Sequence, residues 1–394
     1  MTIESYIQTQ LPDSIQMRHG LHRIPEIGFQ EFKTASAIRA ELSRLGIAFV
    51  EGVEGASTAT VAWVGDVHKP CIALRADIDA LPITERTGAA YASTHAGMMH
   101  ACGHDGHTAT LLGVAAILKS IESTLPVCVK LLWQPAEEGG GGGGRMVKAG
   151  VLDGRIGPKV DAIFGLHGWP GLKVGMVATK PGALLAATDQ FTAKFTGRGC
   201  HGAFPHLGRD PIVCACEAVL NLQQVVSRDF DPVEPVVVTV GMFNAGTAVN
   251  IIPDTATIDV TVRTLTPSGR KRVAELIDRR LKGIAAASDC TVEIDWREGY
   301  PPTINDPAMY EYVAKTARHV FGSQRFFPVG SPSMGAEDFS FYLEKVPGCF
   351  FLVGVEPMEA NGYPPLHSDQ FDFTDATMAV GMRIFLELVL NWGK

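Results

Sequence analysis

Several features that the chain lacks narrow its class. None of the apolar runs in its 394 residues reaches the roughly 20 residues that a membrane-spanning helix needs. The N-terminus, MTIESYIQTQLPDS, lacks the basic-then-apolar pattern of a signal peptide. Basic charge is not in excess either, since the net charge is −8 at pH 7. We therefore expect no membrane and no nucleic acid as partner.

Paired cysteines are also missing. The eight cysteines are scattered and form no Cys-x-x-Cys motif, and several lie inside apolar runs. This distribution is typical of reduced, buried thiols and favours a reducing compartment. We therefore predict a cytoplasmic protein.

The glycine run Gly139–Gly144 does not make a phosphate-binding loop. Such a loop continues into Lys-Ser/Thr, whereas here Arg145 and Met146 follow. The run predicts a compliant loop beside a site, or a hinge.

Apolar residues are abundant, at 46% of the composition, and the length predicts two domains. Helical stretches at 4–23 and 31–45 precede the first of four near-continuous apolar runs. Runs of this kind, separated by helices, indicate strands buried on both faces of a mostly parallel α/β sheet. The four runs lie at 71–79, 127–138, 161–167 and 349–355.

A different pattern occupies residues 187–296. Its elements follow the order β-α-β-β-α-β, which predicts a ferredoxin-like α+β domain. We therefore predict a discontinuous catalytic domain, 1–186 and 297–394, into which a lid or dimerisation domain is inserted.

Ligand-type side chains stand where the apolar runs end. They are Asp77, the pair Glu137 and Glu138, and His167, while His367 follows the fourth run. Ligands of parallel α/β sheets bind beyond the carboxyl ends of the strands, so we expect these side chains to meet.

The stretch MHACGHDGHTA adds Cys102 and His104 just before an apolar, helical run. Alone, this pair is more typical of a buried thiol and of capping or packing histidines than of metal ligands. With Glu138, His167 and His367 it gives five ligand-type residues, enough for two divalent ions that share open positions with water.

The remaining candidates are less specific. Asp77 or Asp79 could accept a hydrogen bond from a ligand imidazole, and a capping role is equally open for Asp79. In the inserted domain His201 could stabilise an oxyanion, or could simply belong to a surface turn. Arg263 could bind a substrate carboxylate, or could be paired on the face of the sheet. His19 and His22 are interpreted as caps or surface residues rather than ligands.

Many motifs in register resemble the M20 metallopeptidase family, in its aminoacylase/amidohydrolase branch with hippurate hydrolases and auxin-conjugate hydrolases. The resemblance covers nearly the whole chain. The motifs are HRIPEIGFQEFKT, RADIDALPI, MHACGHDGHTA, QPAEEG, GLHGWP, CHGAFPH, NIIPD, TVRT, MGAEDFS and PPLHSDQFDF.

The resemblance implies a two-metal site, usually with manganese or zinc, and the ligands Cys102, His104, Glu138, His167 and His367. It also implies Glu137 as general base, Asp77 as supporting aspartate and His201 as a lid-domain residue that reaches the carbonyl, in some relatives from the partner of a dimer. Substrate contacts fall to Asn250 and Arg263. The long glycine run, and Cys200 where glycine is common, depart from the pattern.

We therefore predict hydrolysis of N-acetyl or N-benzoyl amino acids by a homodimer or higher oligomer. A dipeptidase or exopeptidase of the same fold is one alternative. The others are a metal-binding protein without turnover and a cysteine hydrolase that uses Cys102 with His104.

Overall fold

A computed structural model describes residues 2–393. Over these residues the chain forms nine α-helices. They are α1 Ile3–His22, α2 Phe32–Arg44, α3 His104–Ser120, α4 Gly142–Ala149, α5 Pro211–Gln224, α6 Pro267–Ala287, α7 Pro307–Phe321, α8 Ser340–Leu343 and α9 Ala376–Leu390.

The described part of the chain also forms sixteen strands. They are β1 Phe49–Val53, β2 Ala56–Val64, β3 Cys71–Asp77, β4 Cys128–Gln134, β5 Ala162–Lys173, β6 Val177–Thr179, β7 Gly182–Leu185, β8 Ala187–Thr196, β9 Cys200–His201, β10 Val236–Ala245, β11 Ile251–Ile252, β12 Thr255–Thr264, β13 Thr291–Glu298, β14 Thr303–Asn305, β15 Phe326–Pro328 and β16 Gly348–Glu356.

The chain divides into two compact units. The first runs to Leu184 and also contains Ile304–Ser331 and the chain from Asp338 onward. The second comprises Leu185–Thr303 and Pro332–Glu337. It extends beyond the predicted 187–296, and inside it the N–H of Ala186 donates to the Gly335 carbonyl oxygen and the N–H of Thr188 donates to the Tyr300 carbonyl oxygen.

The first unit is built on an eight-stranded sheet of order β1-β2-β4-β3-β5-β16-β6-β15. Its centre, β4-β3-β5-β16, is parallel throughout. Every residue of β3, β4 and β16 is buried, which confirms the predicted α/β class with strands covered on both faces. Helices α1, α3 and α9 pack against one another beside this sheet.

This topology brings the candidate residues to one edge. Asp77 ends β3, the glutamate pair follows β4, and the loop with His367 follows β16. His167 lies within β5, opposite Leu352 of β16. The carboxyl ends of parallel strands meet at the same edge, so four distant chain segments converge there.

The second unit has an antiparallel sheet of order β10-β12-β8-β13. Burial alternates strictly along β8 and β12, and α5 and α6 cover the buried face. With its β-α-β-β-α-β chain order, this is the predicted ferredoxin-like arrangement.

Within residues 2–393, no helix combines the length and apolar character that crossing a bilayer requires. All eight cysteines are free thiols.

Candidate metal centre

Four of the five predicted ligands meet around one sulfur. Cys102 Sγ lies 3.4 Å from His167 Nε2 and 3.5 Å from His367 Nε2. His367 Nε2 is in turn 3.1 Å from Glu138 Oε1. Residues 265 positions apart in the chain therefore present sulfur, nitrogen and oxygen donors to a common space.

His104 supplies the fifth donor at the first position of α3. Its Nδ1 lies 3.0 Å from the Asp79 carbonyl oxygen and 3.1 Å from Asp79 Oδ1. The opposite nitrogen, Nε2, is buried and has no hydrogen-bond partner among the described residues. A histidine held at one nitrogen by a carboxylate, with the other left open, is the usual arrangement of a metal ligand.

His167 is likewise held at one ring nitrogen and open at the other. Its Nδ1 lies 2.7 Å from the Gly168 carbonyl oxygen, which accepts a hydrogen bond and leaves Nε2 with its lone pair towards Cys102. Burial, and the neighbouring His107, hold the pKa of His167 well below its ordinary value. The ring is therefore neutral, as a ligand must be.

The glutamate pair leaves β4 through a constrained turn. Ala136 has φ +53, a left-handed conformation that L-residues rarely adopt, and its N–H donates to Glu31 Oε1 at 2.9 Å. Glu138 N–H donates to Asp79 Oδ2 at 3.0 Å, while Glu137 Oε1 accepts from the backbone N–H of Asp338 at 3.3 Å. The Glu138 carboxylate faces His367 Nε2 instead, so the two neighbouring carboxylates have different partners.

Electrostatics at the cluster favour a cation. Burial, with the nearby charges of Glu138 and Glu137, raises the pKa of the Cys102 thiol well above its ordinary value. These surroundings oppose the thiolate that a cysteine hydrolase would need, whereas a bound cation would favour it. Burial also opposes ionisation of Glu138, but His367 and His104 hold the pKa of Glu138 below its ordinary value.

The donors form overlapping groups whose ligand atoms lie within 4.8 Å of one another. One comprises Cys102, His104 and His167, and another comprises Cys102, Glu138 and His367. Thiolate, imidazole and carboxylate donors suit first-row divalent ions. The shared cysteine and the open Nε2 of His104 therefore fit a centre with two neighbouring ions.

Asp77 lies beside this centre, and its hydrogen-bond partners are not predicted ligands. Its Oδ1 is 2.7 Å from His107 Nδ1, and its Oδ2 accepts from Arg75 Nη1 at 2.6 Å. The distance from Asp77 Oδ2 to His104 Nε2 is 3.7 Å. Of the two aspartates, Asp79 is thus the one that orients His104.

Sequence reasoning gave no role to three residues that hold the site. His107 Nε2 accepts from the N–H of Gly168, next to the predicted ligand His167. Glu31 holds Ala136, and Asp338 accepts from Arg75 at 2.9 Å. His107 lies inside the ligand-rich stretch. Glu31 and Asp338 lie in two of the motifs that carry the family resemblance, but nothing else in the sequence marked them.

The later part of the glycine run is closely packed. Gly141 has φ +65, and the position that a Cβ of Gly142 would occupy is only 1.7 Å from the Pro135 carbonyl oxygen. Gly143 N–H donates to Asp338 Oδ2 at 2.8 Å. Gly142 and Gly143 therefore let α4 begin against the chain that carries the glutamates.

The interpretation of His22 as a cap or surface residue is wrong. The residue is fully buried, with Nδ1 2.9 Å from Asp105 Oδ2 and Nε2 3.3 Å from Glu85 Oε1. His19 stacks on Tyr91 and contacts Asp375.

The second unit holds the other three candidates, in two places. His201 and Asn250 are exposed and close together, because β9 pairs with β11 and Gly202 N–H donates to the Asn250 carbonyl oxygen. Arg263 lies near the far end of β12, roughly 25 Å away at about 3.3 Å per residue. Its guanidinium donates to Thr261 and to the Val262 carbonyl oxygen, and it pairs with no carboxylate in the described chain.

Comparison with known proteins agrees with the geometry. The model of peptidase family M20/M25/M40 matches residues 73–391. An N-acetyl-L-cysteine deacetylase from Bacillus subtilis is 42% identical over 87% of this chain and 80% of its own length. An IAA-amino acid hydrolase (ILR1-like 4) from Arabidopsis thaliana is 37% identical over 96% of this chain and 85% of its own.

A solved structure extends the match to the fold. A dinuclear metal-binding peptidase of the M20 family from Bacillus subtilis has a TM-score of 0.83 and 35% identity, covering 97% of this chain and 98% of that one. The chain therefore belongs to peptidase family M20/M25/M40, and to its amidohydrolase branch.

Proposed function

We propose that this chain is a metal-dependent amidohydrolase that cleaves N-acyl amino acids to a carboxylic acid and a free amino acid. The observation that carries this proposal is the five-donor cluster with Glu137 beside it, within 4.8 Å of ligand atoms of His104 and Glu138. The named activities of the deacetylase and the amino acid hydrolases support it.

The proposed ligands are Cys102, His104, Glu138, His167 and His367, which would hold two manganese or zinc ions. When bound, such ions supply Lewis acidity, which polarises the amide carbonyl and makes water a stronger nucleophile. The contacts of His104 Nδ1 with Asp79 and of His167 Nδ1 with the Gly168 carbonyl oxygen orient these two rings before any ion arrives.

Glu137 is the proposed general base. Its carboxylate would take a proton from the attacking water and return it to the leaving nitrogen as the C–N bond breaks. Burial to 7% exposure and the hydrogen bond from Asp338 N–H keep this carboxylate in place. Asp77 is the proposed supporting aspartate, and its contacts with His107 and Arg75 favour a positioning role.

The second unit supplies the proposed substrate contacts. His201 is assigned to the oxyanion, and Asn250 and Arg263 are assigned to the substrate. Arg263 is half-buried and lacks a carboxylate partner in the described chain, which favours an anionic substrate group. Hippurate-like N-benzoyl and N-acetyl amino acids are the proposed substrates.

A homodimer is the proposed assembly. The edge strand β10 exposes Met242 and Phe243, at 57% and 39%, and Leu220 on α5 is 71% exposed. Exposed apolar side chains on an unpaired strand edge are typical of association surfaces. His201 on β9 pairs with Ile251, before the start of β12, whereas Arg263 is the last residue but one of β12, and this separation also favours contributions from two copies to one small substrate.

The cytoplasm is the proposed compartment. All eight cysteines are free, and six of them are buried. A chain of this size that keeps its thiols unpaired is typical of a reducing environment.

Metal reconstitution followed by a substrate screen tests the proposal. Chelator-treated protein should hydrolyse nothing, and Mn²⁺ or Zn²⁺ should restore cleavage of N-acetyl or N-benzoyl amino acids. Preference for dipeptides would favour an exopeptidase. Metal binding with no hydrolysis of any substrate would favour a binding protein. Loss of activity on thiol alkylation, with the metal retained, would favour the cysteine hydrolase.

A further inference from the structure

Arg18 on α1 is a fully buried cation with three carboxylate partners. Its Nε donates to Asp105 Oδ2 at 3.0 Å, and its Nη1 donates to Asp375 Oδ1 at 2.5 Å. Its Nη2 donates to Asp372. The planar guanidinium thus uses each of its nitrogens on a different carboxylate, a geometry that lysine cannot reproduce.

The three aspartates belong to two chain segments that carry proposed metal ligands. Asp105 directly follows His104 in the first turn of α3. Asp372 and Asp375 lie on the segment that continues from His367. Arg18 therefore connects the start of α3 to the segment that begins at the most exposed ligand.

Between these aspartates, Phe373 packs on glycines that adjoin the ligands. A Cβ at Gly106 would lie 2.3 Å from the Phe373 ring, and Cβ atoms at Gly103 and Gly168 would lie 2.8 Å and 2.7 Å from it. Gly103 stands between Cys102 and His104, and Gly168 follows His167. Movement of the 372–375 segment would therefore disturb the backbone beside three donors.

We propose that Arg18 is a positioning residue for the metal centre, which fixes the His367 segment and the start of α3 relative to each other. The inference rests on the ligand assignment of the proposed function. Without the planar fork of three donors, the three carboxylates would no longer be held at fixed positions relative to one another, and the two segments would be less firmly fixed.

Arg383 provides a matched control. It also joins two segments through carboxylates, with Nη1 3.0 Å from Glu4 Oε2 and Nε 2.9 Å from Glu387 Oε1. Both partners lie on helices that carry none of the proposed ligands. An effect specific to the metal centre should therefore appear with Arg18 and not with Arg383.

The test is a titration of metal-free protein with Zn²⁺ and with Mn²⁺, alongside thermal unfolding. R18K should bind both ions about tenfold more weakly or worse, the range seen when the groups that orient ligands are removed. D375N should weaken binding in the same direction, and R383K should bind as the wild type does. Reconstituted R18K should show a lower kcat at a KM near the wild-type value.

Wild-type affinity in folded R18K, or an equal loss in R383K, would overturn the positioning role. If R18K does not fold, wild-type affinity in D375N has the same meaning. The variant C102S shows whether the Arg18 proposal fails alone or together with the proposed function. If C102S loses metal while R18K keeps it, only the role of Arg18 is contradicted. If C102S still binds metal, the ligand assignment itself is contradicted.

Discussion

Glu137 and Glu138 are neighbours in sequence that the fold gives different surroundings. Glu138 Oε1 lies 3.1 Å from His367 Nε2, whereas Glu137 Oε1 accepts from the backbone of Asp338. The left-handed backbone at Ala136 precedes this division. Two chemically identical side chains can therefore take different roles, one as ligand and one as base.

The first prediction separates these roles. E137Q should lower kcat by about 10²- to 10⁴-fold, because it removes the proton carrier and keeps the shape of the side chain. Its metal content should equal that of the wild type, whereas E138Q should lose metal. Steady-state kinetics with elemental analysis of the same samples measures both. Near-wild-type turnover in E137Q would contradict its role as base.

A second prediction concerns His22. Burial alone would lower the pKa of His22, but the charge and hydrogen bond of Asp105, with the bond to Glu85, raise it to about 10. The folded-state pKa exceeds the ordinary value, so the stabilisation is complete below about pH 6.5 and is lost as the pH rises through about 10. The free energy of unfolding of metal-free wild type, relative to H22Q, should therefore fall across this window.

Urea unfolding at pH 6, 8 and 10 measures this difference. H68Q, which changes an exposed histidine, controls for the substitution itself. A difference between wild type and H22Q that does not change with pH would show that the buried pair with Asp105 contributes nothing that depends on protonation.

At the scale of elements, the glycine run determines where α4 begins. The backbone of Gly142 approaches the Pro135 carbonyl oxygen more closely than any side chain allows. Since Pro135 lies two residues before Glu137, the start of α4 and the position of the proposed base are fixed together.

The third prediction follows from this packing. G142A should lower the free energy of unfolding by about 1–3 kcal/mol, as expected when a packed site must accept an extra methyl group. It should also lower kcat, because Pro135 must move. G20A changes an exposed glycine of α1 whose Cβ would meet nothing within 4 Å, so it should stabilise the protein by up to ~1 kcal/mol.

Denaturant unfolding and steady-state kinetics on both variants give the comparison. Equal stability and kcat in G142A and wild type would restore the interpretation of the run as a compliant loop.

At the scale of the whole molecule, the four-stranded sheet of the second unit has two edges that differ in character. Met242 and Phe243 are exposed near the end of edge strand β10, whereas the opposite edge strand, β13, begins with the exposed polar residue Thr291. The apolar edge is the one on which the dimer proposal depends.

The fourth prediction places a charge on that edge. M242K should convert a dimer into a monomer in sedimentation velocity, because burying an ammonium group in an apolar interface is costly. T291K, on the other edge, should keep the wild-type mass.

If His201 acts on the partner's site, monomeric M242K should lose turnover while it retains metal. Full activity in the monomer would mean that His201 acts within its own subunit, and an unchanged mass would exclude this edge from the interface.

The sequence alone predicted the parallel α/β class, the β-α-β-β-α-β insertion and the edge at which the ligands meet. These features depend on hydrophobic periodicity and on residues placed directly after strands, both of which are local patterns. The five proposed ligands were also predicted from the sequence, from their residue types, from their positions after the strands and from the family resemblance.

Only the tertiary structure decided which atoms face each other. It showed that Asp79 rather than Asp77 orients His104, that His22 is buried against Asp105, and that the later part of the glycine run is closely packed. It also placed Arg18 between segments far apart in the chain. Such contacts depend on rotamers and on the close approach of distant backbones, which no pattern along the chain records.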